Sequence, residues 1–302
     1  MLSRRLLSAA VIISVMLGIV WADYHLVNQL PMFGPGLLLC LITSVGVILA
    51  AGELVQMWRT SGRAASLPVA LFGTSLMAIG AAAPALWPRP LGECPLGFFG
   101  GTFLGFFVAT GLAAVYEIAN FGQQQKVADR LIHHVFIFAY LALLVGSVPH
   151  HRRLLDDNGF GLCAVIAVIT TVKMSDAAAY FFGRTFGRRK LAPKISSGKT
   201  IEGALGAFVG GILGAAIVFR LVAPQVSGID HMQSWTWIVA YGIFISLAGM
   251  VGDLFESIIK RDAGLKDSSV WLPGLGGILD VMDSLIFAAP ASSLFWILFE
   301  NL

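Results

Sequence analysis

Hydrophobic runs of about 20 residues recur along nearly the whole chain, and each is long enough to cross a bilayer's hydrocarbon core as a helix. Nine such runs lie near 6–22, 33–52, 67–87, 98–119, 131–149, 158–182, 201–223, 234–255 and 279–299. Composition agrees: 57% of the 302 residues are hydrophobic and only 12% are charged, against roughly 25% charged in an average soluble domain. A soluble enzyme, a secreted disulfide scaffold and a disordered chain are excluded. The expected fold class is all-α: a polytopic integral membrane protein of about nine transmembrane helices with a cytoplasmic N-terminus. The sequence divides into an N-terminal set of about five spans (1–157) and a C-terminal region of about four (158–302), the latter carrying two polar connections near 183–200 and 256–278.

Orientation follows from the lysines and arginines, which concentrate on cytoplasmic loops. Fifteen of the 20 fall on the N-terminal side of the expected topology: Arg4, Arg5, Arg59, Arg63, Lys126, Arg130, Arg184, Arg188, Arg189, Lys190, Lys194, Lys199, Lys260, Arg261 and Lys266. Arg89, Arg152 and Arg153 fall on the other side, and Lys173 and Arg220 within spans. This places both polar connections in the cytoplasm and the C-terminus outside. The first run, from Arg4-Arg5 to Val20-Trp21-Ala22, also has the form of a cleavable signal peptide; the remaining topology is the same either way.

Several features carry little chemistry. Cys40, Cys94 and Cys163 make no disulfide framework or metal spacing. A net charge of +3 does not point to nucleic acid. Gly198-Lys199-Thr200 lacks the P-loop glycine at 193, which is Pro193, and Gly274-x-Gly276 reaches Leu279 where a dinucleotide fingerprint needs glycine. The pairs His133-His134 and His150-His151 offer no ligand cluster, since neighbours in sequence do not share a helix face, and are expected at the membrane interface. Gly101 and Gly105, then Gly206, Gly210 and Gly214, form small-residue ridges suited to packing within one chain and also to a homodimer.

Ionisable residues at the membrane are costly and point to function. Asp176, Asp253, Asp280 and Asp283 all fall at one expected depth, on the cytoplasmic side. Asp280 and Asp283 are three apart, so a helix puts them on one face. Carboxylate oxygens suit Mg²⁺, which completes its shell with phosphate oxygens and water. Lys260, Arg261 and Lys266 can neutralise phosphates, and the glycine-rich stretch Pro273 to Gly277 can turn backbone N–H groups toward an anion. Together these residues suit a polyanion and a divalent metal; the same charges could instead be salt bridges in an interfacial loop. The bases of 183–200 also suit anionic lipid headgroups.

Read in order, these blocks resemble the membrane-bound phosphatidate cytidylyltransferases (CDP-diacylglycerol synthases). The family signature S-x-x-K-R-x-x-x-x-K-D is matched by Ser257-x-x-Lys260-Arg261-x-x-x-x-Lys266-Asp267, P-G-H-G-G by Pro273 to Gly277, and D-R-x-D by Asp280 to Asp283. An upstream D-x-x-A-Y-x-x-G-R is matched by Asp176 to Arg184, and L-A-P-x-I-S-P-K-K-T-x-E-G by Leu191 to Gly203. Three positions depart: Leu275 replaces the family histidine, Val281 the arginine, and Ser197-Gly198 a proline–lysine pair.

The resemblance implies that phosphatidate's phosphate attacks the α-phosphorus of CTP, releasing pyrophosphate and forming CDP-diacylglycerol in a bacterial cytoplasmic (inner) membrane, at a site facing the cytoplasm. It implies an active enzyme with part of its basic shell trimmed. On this reading Asp253 and Asp280 hold the essential Mg²⁺, alone or with a second cation, with Asp283 and Asp267 beside them. Lys260 and Ser257 complete the reacting centre. Arg261, Lys266, Lys199, Thr200, Ser196, Asp176, Gly276 and Gly277 bind substrate. The implied partners are CTP, phosphatidate and membrane lipids. Nine spans with intramembrane acids also fit a transporter or flippase, and the motifs also fit a related CTP-using lipid or polyprenol phosphotransferase. The topology has a direct test: single cysteines placed in 183–200 should react with an impermeant reagent only from the cytoplasmic side, and labelling from outside would overturn it.

Overall fold

The computed structural model describes residues 18–25, 35–86, 99–121, 126–152, 158–226, 234–269, 271 and 276–299. Among these residues the chain is nearly all helix. Seven helices are long and apolar enough to cross a membrane: Leu37–Thr60, Gly100–Ala119, Val127–Arg152, Gly159–Phe186, Ile201–Val226, Trp235–Asp262 and Ile278–Phe299. Leu67–Leu86 is a further apolar helix. Of the first expected span only 18–22 is described, in a helix that runs on to 25; the rest lies outside the described residues, as do Arg89, Cys94, Arg153 and Pro273 to Leu275.

Two compact units share the chain, each built from two stretches. One comprises Met1–His150 and Asp262–Met282, the other His151–Arg261 and Asp283–Leu302.

In the first unit the Leu67–Leu86 helix packs against Leu37–Thr60, Gly100–Ala119 and Val127–Val145. Glycine sets the closest approach: a Cβ on Gly80 would collide with the Gly101 carbonyl oxygen, and one on Gly101 with that of Gly80. Asp23 organises the start of Leu37–Thr60, accepting from the Gly36 N–H at 3.1 Å and the Leu38 N–H at 3.0 Å. Gly36 itself sits at φ 96°, a left-handed conformation that glycine reaches without a Cβ clash.

In the second unit Asn158–Phe186 and Ile201–Ile217 lie against each other along the Gly206, Gly210 and Gly214 ridge. Any side chain there would strike Phe182, Met174 and Ala178, or Thr171. Gly211 and Gly242 meet in the same way between Ile201–Ile217 and Trp235–Asp262. Each ridge anticipated from sequence is therefore covered by a helix of this same chain. The core beyond the glycines is aromatic. Trp237 stacks on Tyr241 with ring centroids 5.2 Å apart, and Phe219, Phe295 and Trp296 pack edge-on or tilted around them. Ile201–Ile217 runs into a π-helical turn, Val218–Val222, before Ala223–Val226. Pro224 lacks the N–H that would continue the regular ladder, which accounts for the change of pitch.

Three expectations change. His134, His150 and His151 are buried rather than interfacial. The Ser66 N–H donates to His134 Nε2 at 3.0 Å, and His151 Nε2 lies 2.8 Å from the Ser292 hydroxyl; these partners replace the water that would otherwise hold imidazoles at the surface. Arg130, assigned to a loop, is a buried helical residue paired with Glu117. The polar connections are also shorter than expected. Helices run on to Phe186 and Asp262, so Ser257, Lys260 and Arg261 are helical. The remainder of 183–200 folds into an antiparallel pair, β1 (Lys190–Ala192) and β2 (Ser196–Thr200), with Lys190 opposite Thr200 and Ala192 opposite Ser196.

Because backbone atoms face each other at Gly80 and Gly101, either residue changed to Ala must push two helices apart, at about 1–3 kcal/mol. Gly111 has open space at its Cβ position. Thermal melts in detergent should show both Gly80→Ala and Gly101→Ala lowering Tm, with Gly111→Ala unchanged or slightly raised.

Candidate active site

The second unit holds Asp176, Asp253 and Asp283, three of the four acids that the sequence placed at one depth, together with Lys173 and Lys199. Lys199, at the end of β2, reaches Asp253 on the Trp235–Asp262 helix with Nζ 2.8 Å from Oδ2. Lys173 and Asp176, one turn apart on the Asn158–Phe186 helix, approach to 3.6 Å. Asp283, near the start of the Ile278–Phe299 helix, lies within charge–charge range of Asp253, Asp176 and Lys173. Two of these carboxylates thus pair with a lysine each, and the third, from another helix, lies within charge–charge range of both acids and of Lys173. Gly252 makes the close approach possible: a Cβ there would stand 2.6 Å from the Asp283 carbonyl oxygen.

One further turn along the Trp235–Asp262 helix, Lys260 pairs with the fully buried Glu256. Ser257 is buried next to them, whereas Arg261 is exposed and donates from Nε to the Ile195 carbonyl at 3.3 Å. That contact ties the helix end to the hairpin turn. The hairpin is held from its other side by Glu202, which accepts from the backbone N–H groups of Arg188 at 3.0 Å and Arg189 at 3.2 Å. Thr200 caps the helix it precedes: its hydroxyl oxygen accepts from the Gly203 N–H at 3.1 Å. Such a cap contributes about 1 kcal/mol and fixes the backbone beside Lys199. Ser196 opens β2, away from this cap. Arg184, Arg188, Arg189, Lys190 and Lys194 are all exposed.

The first unit holds the remaining candidates. Asp280, in the first turn of the Ile278–Phe299 helix, uses Oδ2 to accept from the Gly277 N–H at 2.7 Å, the Ser268 N–H at 2.9 Å and the Ser268 hydroxyl at 2.7 Å. Glu53, a residue the sequence reading passed over, accepts at the same turn. The Ser269 hydroxyl donates to it at 2.8 Å and the Ile278 and Leu279 N–H groups at 2.9 Å, while the Ser268 hydroxyl, 2.8 Å away, shares its one proton between Glu53 and Asp280. The free amides at a helix start attract negative charge, and here carboxylates of the chain itself meet them. The two glycines fit this arrangement. Gly276 stands at φ 89° with the Asp280 carboxylate where its Cβ would be, and a Cβ on Gly277 would strike both Glu53 oxygens. Lys266 and Asp267 are exposed.

Glu53 was legible in principle. It is a lone acid at the end of an apolar run, between Gly52 and Leu54, and it obeys the same rule that singled out Asp176, Asp253 and Asp283. Ending the second expected span at 52 left it just outside.

The donor set suits a hard divalent cation. Among the described residues no three His, Cys, Asp or Glu side chains converge to cage a metal. Mg²⁺ does not need such a cage: it usually takes one or two protein carboxylates and completes its octahedron with water and phosphate oxygens. Asp253 and Asp283, neighbours in one unit, can supply them. Lysines within reach of the same carboxylates can counter phosphate charge.

Comparison with known proteins bears on what this arrangement does. A family model described as "Cytidylyltransferase family" matches residues 3–299. A phosphatidate cytidylyltransferase of Haemophilus influenzae is 37% identical over 168 residues, covering 55% of this chain and 57% of that protein. One from Bacillus subtilis is 35% identical over 198 residues, covering 61% and 69%. The uncharacterized protein YnbB of Escherichia coli is 39% identical over 130 residues, covering 43% of this chain and 41% of its own. The chain spans about half the length of most of the curated relatives it matches. With the family model running over nearly its whole length, this membrane-helical chain belongs to the cytidylyltransferase family.

Proposed function

We propose that this protein transfers the cytidylyl group of CTP to phosphatidate, giving CDP-diacylglycerol and pyrophosphate. The observation that carries the reading is the gathering of Asp176, Asp253 and Asp283 with Lys173 and Lys199 in one unit of an otherwise apolar chain. Relatives named phosphatidate cytidylyltransferase match the same chain at 34–38% identity.

In this reaction an oxygen of the phosphatidate phosphate bonds to the α-phosphorus of CTP while the α–β anhydride bond breaks, and pyrophosphate carries away the electron pair. Phosphoryl-type transfer asks for alignment and charge neutralisation more than for a protein nucleophile. By the family motif Asp253 and Asp280 would hold Mg²⁺, with Asp283 and Asp267 beside them; Asp253 and Asp283 are the pair that the second unit itself brings together. A bound Mg²⁺ supplies Lewis-acid neutralisation of phosphate oxygens. Lys199 and Lys260 would bind phosphate, each now held by an acid of the chain, Asp253 and Glu256. Ser257 would donate a hydrogen bond. Arg261, Lys266, Ser196, Thr200, Gly276 and Gly277 would shape the substrate-binding surface, and Asp176 would orient the lysines around Asp253.

The membrane setting follows the same logic. The nine apolar runs support nine spans, and the excess of lysine and arginine on one side supports a cytoplasmic N-terminus and a site facing the cytoplasm of a bacterial inner membrane. CTP would arrive there from water and phosphatidate from the bilayer.

Purified protein given phosphatidate, Mg²⁺ and CTP labelled at the α-phosphate should move label into chloroform-soluble lipid and release unlabelled pyrophosphate. Transfer from γ-labelled CTP instead would identify a lipid kinase, and substrate uptake into vesicles without pyrophosphate release would identify a transporter; either result overturns the proposal.

A further inference from the structure

We infer that Glu53 is a positioning residue for the reaction, holding the turn that presents Asp280. The inference rests on the reading of Asp280 as part of the reacting site. Glu53 sits within the Leu37–Thr60 helix and is only 5% exposed. An ionised carboxylate only accepts hydrogen bonds, and all four of its partners here are donors: two serine hydroxyls and two amides at the start of the Ile278–Phe299 helix. These four contacts join residue 53 to residues 268–269 and 278–279, more than two hundred positions further along the chain.

Asp280 is drawn into the same arrangement. The Ser268 hydroxyl lies 2.8 Å from Glu53 Oε2 and 2.7 Å from Asp280 Oδ2, so both carboxylates share one hydroxyl. Gly277 links them again: its N–H donates to Asp280, and the space its missing Cβ leaves is filled by Glu53. Moving Glu53 therefore moves the atoms that orient Asp280. A helix-capping carboxylate alone would need only the amides; the shared serine and the glycine fitted to both acids are what extend its role to Asp280. Glu53 acts through these neighbours.

The test compares wild type with Glu53→Gln, which keeps the shape but turns an N–H₂ group toward donors. In detergent-solubilised protein, hydrogen exchange at the Ile278 and Leu279 amides should accelerate about tenfold, as expected for the loss of one such bond. In the transfer assay the Mg²⁺ concentration for half-maximal rate should rise by a similar factor and kcat should fall. A purely structural residue would reduce the amount of active protein and leave that Mg²⁺ requirement unchanged. Ser268→Ala deletes only the shared hydroxyl and should shift both readouts the same way by about threefold, which keeps the test open should Glu53→Gln fail to fold. Unchanged exchange, or faster exchange with an unchanged Mg²⁺ requirement, overturns the inference. Absence of α-phosphate transfer in wild type would instead defeat the proposed reaction, with the exchange comparison still deciding whether Glu53 holds the turn.

Discussion

A carboxylate placed among membrane-spanning helices persists only if the chain replaces the water it has lost. Burying such a charge unpaired is prohibitive, and hydrogen-bond donors or a nearby cation make it tolerable. The acids of this protein show both solutions. Glu53 and Asp280 are satisfied by amides and serine hydroxyls at a helix start, whereas Asp253 and Asp176 are satisfied by Lys199 and Lys173. The first solution makes a rigid turn. The second makes a set of charges that an incoming anion and cation can rearrange, since each ion pair exchanges for another of the same kind.

Glycine supplies the geometry that brings these groups together. Among lipid tails, helices gain little from hydrophobic association with each other and rely on close packing. The glycines at 206, 210, 211, 214 and 242 let three helices of the second unit approach at backbone distance, and Gly252 continues this to the carbonyl of Asp283. Gly276 and Gly277 serve a different end, since the space beside each is filled by a carboxylate rather than a helix. Bulk at either position would displace the acid itself.

The sequence disclosed the fold class because hydrophobic run length is a one-dimensional property, and the helices from Leu37 to Phe299 fall where the runs do. Counting residues from span ends gives Asp176, Asp253, Asp280 and Asp283 a shared depth, and three of the four lie in the second unit. Partnerships were out of reach. Nothing in residue order shows that Lys199 meets Asp253, or that Glu53 reaches residues more than two hundred positions away. Adjacent histidines carry no sequence mark of burial, yet Ser66 and Ser292 satisfy two of them among the helices. The hairpin at 190–200 is invisible in the sequence because three- and five-residue strands leave almost no periodicity.

The central claim is that the few charged groups within this apolar frame, Asp283 among them, perform the chemistry. The most direct measurement is the Mg²⁺-dependent rate of α-phosphate transfer into lipid for wild type and Asp283→Asn, both confirmed as folded by their melting in detergent. The account predicts a loss of at least about a hundredfold, the scale on which removing a group that stabilises transition-state charge acts, at every Mg²⁺ concentration. A folded Asp283→Asn protein that transfers the label at near wild-type rate would contradict it.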